Sequence, residues 1–310
     1  MCRHEPIPSR LPCHTRCVKE RLQPHQFGIV LAASGMLLIS LDSLGIRLTE
    51  ASSWDIAFWI GAFTTVAMLV LVPLRTGKSL PNIARKEGRP ILVSGMLQAT
   101  STTFFILAIN LTTVANTVVI VAAAPIVAAL IAHFAIGERT SVRTWLAIAA
   151  SIGGVLIVVS GSIGAGTIEG DLFAVIAIFA WASNLTLWRR YPKLNRQVAI
   201  GLGGLTMALV AFIPANPLAV DARAFLILAI LGLLTGPAGR VAVATATRYL
   251  PAAQVSLFAP VETVAAIGWA WLFLAETPPQ STLIGGVIVI VSVIVGTTGQ
   301  QAARSVQVET

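Results

Sequence analysis

Residues 111–140 read LTTVANTVVIVAAAPIVAALIAHFAIGERT, an apolar run of membrane-spanning length that ends in a Gly-Glu pair. A similar run, YLPAAQVSLFAPVETVAAIGWAWLFLAETP, occupies residues 249–278. An offset of 138 residues aligns the two runs and places Glu138 on Glu276. Because the similarity recurs at a constant spacing, the chain is predicted to contain an internal duplication.

The composition predicts that this duplication lies in a membrane. Of the 310 residues, 56% are hydrophobic and 11% are charged, whereas soluble domains have about 25% charged residues. A bilayer core about 30 Å thick needs roughly 20 apolar residues per crossing helix. The fold class is therefore an all-α polytopic membrane protein with ten transmembrane helices. The ten windows lie near residues 27–46, 55–74, 90–109, 113–135, 143–161, 171–188, 198–215, 224–246, 251–275 and 282–299.

Two five-helix repeats account for these windows. The first repeat covers residues 27–161 and the second covers residues 170–299, between an N-terminal tail of residues 1–26 and a C-terminal tail of residues 300–310. Because each repeat holds an odd number of spans, the second is expected to enter the membrane upside down relative to the first. Inverted repeats around a midplane site are the architecture of many secondary transporters.

The basic residues predict the orientation of the chain. On the ten-span arrangement, 18 of the 21 Lys and Arg residues fall on one side, and only Arg47 and Arg223 fall on the other. Since positive charge accumulates in cytoplasmic loops, both tails are expected in the cytoplasm of a cell inner (plasma) membrane. This distribution explains the net charge of +8 without nucleic acid as a partner, and it allows contacts with anionic membrane lipid.

The N-terminal tail holds all three cysteines of the chain, Cys2, Cys13 and Cys17. Structural zinc sites need two closely spaced ligand pairs, and no well-spaced second pair accompanies Cys13 and Cys17. We therefore expect neither a metal nor any other cofactor.

The repeated helix carries a family resemblance. Pro125 followed by Glu138 in PIVAALIAHFAIGERTSVRTW, the GGVLIVVSG that follows, and the weaker copy ending in WLFLAETP resemble the EamA-type transporters of the drug/metabolite transporter superfamily. The resemblance covers residues 27–299. It implies ten helices in two inverted five-helix repeats and the movement of a small organic metabolite, often outward, without ATP.

Three charged residues stand out because they lie well inside the predicted spans, away from the span ends: Asp42, Arg240 and Glu262. Ionisable residues at this depth are costly and usually face the bundle interior or a water-filled cavity. The depths of Arg240 and Glu262 differ by about 6 Å, a gap that two long side chains can bridge. Two interpretations of Glu262 stay open: a group that exchanges a proton or binds a substrate ammonium, or one partner of a fixed structural ion pair with Arg240.

Uncharged residues are candidates for the same cavity, although each can instead form an interhelical hydrogen bond. Trp269 lies on the helix face of Glu262 and can stack on a substrate or simply pack. The repeat offsets align Asp42 with Asn184 and Thr102 with Arg240, so both halves are expected to present matched polar positions. The candidates are Gln98, Thr102, Asn116, Asn184, Gln254 and Trp269.

Two further features bear on the mechanism. Gly236, Pro237 and Gly239 are expected to break or kink the span that carries Arg240, and an interrupted span is a pointer to a transporter site. Glu138 and Glu276, which end the two repeated helices, are expected to act as helix-end anchors or gate contacts.

The predicted function is secondary active transport of a small organic metabolite, in the export direction, coupled to protons or to exchange. ATP is not expected to drive it, because RTGKSLP lacks the first glycine of a phosphate-binding loop, whose position is Val72. Two alternatives are an integral-membrane enzyme acting on a lipid or isoprenoid, with a metal held by Asp42 and Glu262, and a passive channel. We expect no enzymatic activity, and a homodimer is left open.

Overall fold

The computed structural model describes residues 23–49, 51–112, 114–160, 167–274 and 280–298, and within these ranges the regular structure is helical. The three cysteines and Glu276 lie outside the described residues. The helices of the first half are α1 (Pro24–Arg47), α2 (Ser53–Thr76), α3 (Leu80–Glu87), α4 (Arg89–Leu111), α5 (Val114–Ala122), α6 (Ala124–Ile136) and α7 (Val142–Val159). Those of the second half are α8 (Ile168–Arg190), α9 (Arg196–Ala211), α10 (Ala222–Ile230), α11 (Gly236–Ala246), α12 (Ala252–Ser256), α13 (Ala259–Leu274) and α14 (Gln280–Thr298).

The all-helical membrane architecture is confirmed. Nine helical segments of the described residues are long and apolar enough to cross a membrane. The tenth predicted window, residues 198–215, corresponds to α9, which is a shorter apolar helix of 16 residues. A membrane crossing by α9 stays a prediction.

The repeated helix is interrupted in both halves, a feature that its apolar sequence does not predict. In the first half, α5 and α6 are separated at Ala123, and Pro125 lies in the first turn of α6. In the second half, residues 257–258 separate α12 from α13, and Pro260 follows at the second position of α13. Proline lacks a backbone N–H and is tolerated at the start of a helix, so it is suited to restart a helix after a break.

The span carrying Arg240 is irregular directly before the predicted residues Gly236 and Pro237. Residues Leu231–Thr235 form a π-helix between α10 and α11, and Gly236 follows it immediately. Such π-turns inside α-helices often occur at functional sites. The hydroxyl of Thr64 on α2 donates a hydrogen bond to the carbonyl of Gly232, at 3.3 Å, within this turn.

Four helix pairs make the most extensive contacts: α7 with α14, α2 with α9, α4 with α8, and α1 with α11. Under the repeat alignment, α1 corresponds to α8, α2 to α9, α4 to α11 and α7 to α14. Exchanging the two halves therefore converts the α1–α11 pair into the α8–α4 pair. The α2–α9 and α7–α14 pairs each join a helix to its own repeat counterpart, so the exchange leaves them unchanged. This packing pattern is the one expected of duplicated halves.

Close helix packing depends on glycines at the contacts. A Cβ added at Gly61 on α2 would lie 2.7 Å from the carbonyl oxygen of Gly204 on α9, and a Cβ at Gly204 would lie 2.8 Å from that of Gly61. Between α7 and α14, a Cβ at Gly154 would lie 2.9 Å from the carbonyl oxygen of Gly285. These distances leave no room for a side chain, so glycine sets how closely the backbones approach.

Candidate substrate site

A cavity of about 110 Å³ lies in the interior of the helix bundle. Its walls come from α1, α2, α4, α5, α8, α11 and α13, so both halves of the chain contribute. Five of the nine candidate site residues, including all three charged ones, line this one cavity. The polar lining residues are Asp42, Gln98, Ser101, Thr102, Arg240 and Glu262, and the apolar and aromatic ones are Met36, Ile39, Ile46, Ile60, Phe105, Ile106, Val121, Ala177, Ile178, Trp181, Trp188, Val243 and Ala259.

Arg240 pairs with Asp42, and not with Glu262 as one interpretation of the sequence expected. Arg240 Nη2 lies 3.0 Å from Asp42 Oδ2, and both side chains are largely buried, at 11% and 9% exposed. The interpretation of Glu262 as the partner of Arg240 in a fixed ion pair is therefore wrong. Each partner also keeps one buried polar atom without a hydrogen bond: Nη1 of Arg240 and Oδ1 of Asp42.

The close packing of α1 and α11 explains this pair. A Cβ at Gly35 would lie 2.8 Å from the carbonyl oxygen of Gly239, and a Cβ at Gly239 would lie 2.7 Å from that of Gly35. The backbone next to Arg240 therefore lies directly against α1. Because helical side chains point toward the N-terminus of their helix, Arg240 extends back along α11 toward the level of Asp42.

Gly236 provides the space for the Arg240 guanidinium. It lies one turn before Arg240 in α11, and a Cβ at this position would overlap Arg240 Nη1. The glycine that was expected to break the helix instead accommodates the charged group that the helix carries.

The interruption between α12 and α13 places Glu262 in the first turn of α13. The Glu262 side chain is half-buried against the cavity. Within the described part of the chain, Glu262 forms neither a hydrogen bond nor a salt bridge. The repeat offset aligns Glu262 with Ala124, which is fully buried, so the first half has no equivalent carboxylate.

A chain of hydrogen bonds connects the cavity to the buried interface of α4 and α8. Gln98 donates to the Thr102 hydroxyl at 3.1 Å and accepts from the Asn184 amide at 3.3 Å. The Ser94 hydroxyl donates to Asn184 Oδ1 at 2.7 Å and accepts from the Trp188 indole N–H at 2.8 Å. Asn184 is therefore a buried supporting residue behind Gln98 and not a lining residue.

Three other candidate residues lie outside the cavity. Asn116 on α5 faces Asp171, with 3.5 Å between its Nδ2 and Asp171 Oδ1. Gln254 on α12 is buried and donates to the carbonyl of Gly296 at 3.3 Å. The indole N–H of Trp269 donates to the hydroxyl of Ser40 at 2.8 Å, which ties α13 to α1.

A charged cluster joins several helix ends at one end of the bundle. Arg189 Nη2 forms a salt bridge of 2.7 Å with Glu138 Oε1, and Arg189 Nη1 donates to the carbonyl of Thr247 at 3.2 Å. Glu138 Oε2 accepts from the backbone N–H of Ala252 at 3.2 Å. Arg196 Nη2 donates to the Thr247 hydroxyl at 3.1 Å. Glu138, at the end of the first repeated helix, is thus bound to residues of the second half.

Ser101, Phe105 and Trp181 line the cavity but were not identified from the sequence. Ser101 and Phe105 lie three and seven residues after Gln98, on the same face of α4, and this spacing could have identified them. Trp181 and Trp188 are likewise seven residues apart on α8. Among the described residues, no group of three His, Cys, Asp or Glu side chains could hold a metal ion.

Comparison with known proteins agrees with this architecture. The model of the EamA-like transporter family matches residues 26–160 and 168–298. The pseudopaline exporter CntI of Pseudomonas aeruginosa is 25% identical over 279 residues, which cover 85% of this chain and 96% of that protein. The uncharacterized transporter YdfC of Bacillus subtilis is 26% identical over 181 residues, which cover 55% of this chain and 58% of that protein.

The fold also matches a solved structure. One crystal structure superposes with a TM-score of 0.75 at 15% identity, over 87% of this chain and 97% of that chain. The family match covers most of the chain in two consecutive segments, and the matched family is one of transporters and not of enzymes. The chain belongs to the EamA-like transporter family and is a multi-pass membrane protein.

Proposed function

We propose that this protein is a secondary active transporter that moves a small organic metabolite out of the cell by alternating access. The observation that carries the proposal is the single cavity in which Asp42, Arg240 and Glu262 meet. Charged groups inside a membrane bundle are expensive to retain without a function. The outward direction of transport is supported by the similarity to the pseudopaline exporter of Pseudomonas aeruginosa.

The proposed topology is ten spans in two inverted repeats, with α9 as the short tenth span and both termini in the cytoplasm of the inner membrane. The distribution of Lys and Arg supports this orientation. The interrupted helices support the inverted repeats, since transporters with inverted repeats commonly bind substrates and ions at discontinuous helices. In this arrangement the cluster of Glu138, Arg189, Arg196 and Thr247 closes the cytoplasmic end of the cavity.

Transport into proteoliposomes tests the function. Vesicles containing the purified protein are loaded with a panel of metabolites, and exchange with external metabolites is followed by mass spectrometry. We expect saturable uptake that is accelerated by the same compound on the opposite side of the membrane. Uptake that neither saturates nor responds to internal substrate would instead indicate a passive channel.

A matched pair of variants on α4 connects this uptake to the cavity. Ser101→Trp fills the cavity, whereas Met96→Trp adds the same side chain at a position that is 61% exposed on the outside of the same helix. We expect Ser101→Trp to abolish exchange and Met96→Trp to retain it. Equal exchange by both variants would contradict the assignment of the cavity.

Coupling to protons is proposed to involve Glu262, because it is a carboxylate in the cavity without a fixed partner. Asp42 on α1 and Arg240 on α11 are the other charged groups that line this cavity. If Glu262 exchanges the proton, Glu262→Gln removes the dependence of uptake on an imposed pH gradient. Persistence of that dependence in Glu262→Gln would contradict the proton role.

A further inference from the structure

The ion pair in the cavity leaves one charge without compensation. Asp42 and Arg240 neutralise each other at 3.0 Å, and Glu262 forms no salt bridge with any basic residue of the described ranges. No other Lys or Arg side chain of those ranges lines the cavity. With both carboxyl groups ionised, the lining therefore carries one net negative charge.

We propose that the cavity selects ligands with one net positive charge, an organic ammonium, which Glu262 holds as its counter-ion. This inference rests on the proposed function, since it takes the cavity as the substrate site. An ammonium supplies the one charge that the lining lacks, and the Asp42–Arg240 pair stays intact while it binds.

The wall of the cavity suits such a ligand. Phe105 and Trp181 contribute aromatic rings, and ring faces attract cations in a desolvated site. The remaining wall is mainly aliphatic and can pack against the hydrocarbon part of an amine. Ser101 and Thr102 on α4 add hydroxyl groups that can accept an N–H from the same ligand.

A carboxylate ligand fits the same lining poorly. Nη1 of Arg240 has no hydrogen-bond partner but is itself buried, so a carboxylate can approach only the small accessible part of the Arg240 side chain. A ligand carboxylate there would share one guanidinium with Asp42, and it would enter a cavity that already contains Glu262. A zwitterion offers an ammonium for Glu262 but brings the same repulsive carboxylate. The expected order of affinity is amine, then zwitterion, then anion.

Three probes that share one phenyl ring test the charge selectivity: 2-phenylethylamine, phenylalanine and 3-phenylpropionate. Their dissociation constants for the full chain in detergent at pH 7 are measured by calorimetry. We expect the amine to bind at least tenfold more tightly than either other probe, which corresponds to about 1.4 kcal/mol. Glu262→Gln is expected to remove this preference, because the lining is then neutral.

The double variant Asp42→Asn, Glu262→Gln reverses the charge of the cavity. Arg240 is then its only charged lining residue, so 3-phenylpropionate is expected to become the tightest of the three probes. If the unpaired Arg240 prevents folding of the double variant, Glu262→Gln alone carries the test. Ser101→Trp should abolish binding of the amine, and Met96→Trp should retain it.

Several results would overturn the charge selectivity. One is tighter binding of phenylalanine or 3-phenylpropionate by the unmodified protein. Another is an amine preference that persists in Glu262→Gln or in Ser101→Trp, because the ammonium would then bind elsewhere. Absence of binding by all three probes would also overturn it. The transport function is judged separately, by exchange of the metabolite panel and its loss in Ser101→Trp.

Discussion

Asp42 of α1 and Arg240 of α11 form a buried ion pair with 3.0 Å between Oδ2 and Nη2, although 198 residues separate them in the chain. The pair joins the first helix of one half to the second half across the wall of the central cavity. Glu262 lines the same cavity without an ion-pair partner. Asp42 and Arg240 thus form a neutral structural pair, and Glu262 is a carboxylate that a ligand in the cavity can contact.

Breaking the pair on one side should strongly destabilise the protein. Asp42→Asn leaves the Arg240 charge buried without compensation, and removal of one partner of a buried pair typically costs about 3–5 kcal/mol. The double variant Asp42→Asn, Arg240→Gln removes both charges and should recover most of that loss. The free energy of reversible unfolding in mixed micelles measures both effects. Equal loss in the single and double variants would contradict the pairing.

Gly236→Ala should displace the Arg240 guanidinium, because the new Cβ overlaps Nη1. Overpacking of this kind costs about 1–3 kcal/mol and should also lower the rate of substrate exchange. Gly268→Ala is the control, since a Cβ at that helical position has no neighbour within 4 Å. Exchange rates in proteoliposomes compare the two variants. An unaffected Gly236→Ala would mean that Arg240 does not need the space at Gly236.

The contact of α7 with α14 can be tested with two adjacent glycines. Gly154→Ala introduces a Cβ 2.9 Å from the carbonyl oxygen of Gly285, whereas a Cβ at Gly153 meets nothing within 4 Å. We expect Gly154→Ala to lower the unfolding free energy by about 1–3 kcal/mol. Gly153→Ala should leave it unchanged or raise it by up to about 1 kcal/mol, because alanine favours a helix over glycine. Similar values for both would contradict this packing.

The Glu138–Arg189 pair should hold one end of the bundle closed. Glu138→Gln weakens the salt bridge to Arg189 and the bond from Ala252 N–H, so that end should open more often. With the native Cys2, Cys13 and Cys17 replaced by serine, a cysteine at Ala253, which is 3% exposed, then reports opening through faster reaction with a water-soluble maleimide. Glu169→Gln, an exposed change in the first turn of α8, is the control and should leave the labelling rate unchanged.

Much of this arrangement follows from sequence because membranes impose simple rules. The helical class follows from length and composition, since unsatisfied backbone groups are too costly in lipid. The convergence of Asp42, Arg240 and Glu262 was expected from the cost of each charge at that depth. The matched positions of the two halves are also visible, since Asp42 pairs with Arg240 while their repeat counterparts Asn184 and Thr102 are bridged by Gln98.

The features that could not be predicted from the sequence depend on packing between distant segments. The partner of Arg240 was not identified from the sequence, because depth along a helix does not specify which neighbour lies alongside, and the Gly35–Gly239 contact decides it. Trp269 shares a helix face with Glu262, but its indole N–H reaches Ser40 of α1. The breaks before α6 and α13 were missed because an apolar run has the same composition whether its helix is continuous or interrupted.

Thermal unfolding with a metabolite panel tests directly whether a ligand binds in this cavity at Glu262. The detergent-purified protein and its Glu262→Gln variant are unfolded at several pH values, since a ligand that binds only the folded state raises its stability. We expect at least one metabolite to raise the Tm of the unmodified protein and to leave that of Glu262→Gln unchanged. Equal stabilisation of both proteins, or a variant that unfolds without ligand under conditions where the unmodified protein is stable, would contradict this expectation and assign Glu262 a structural role.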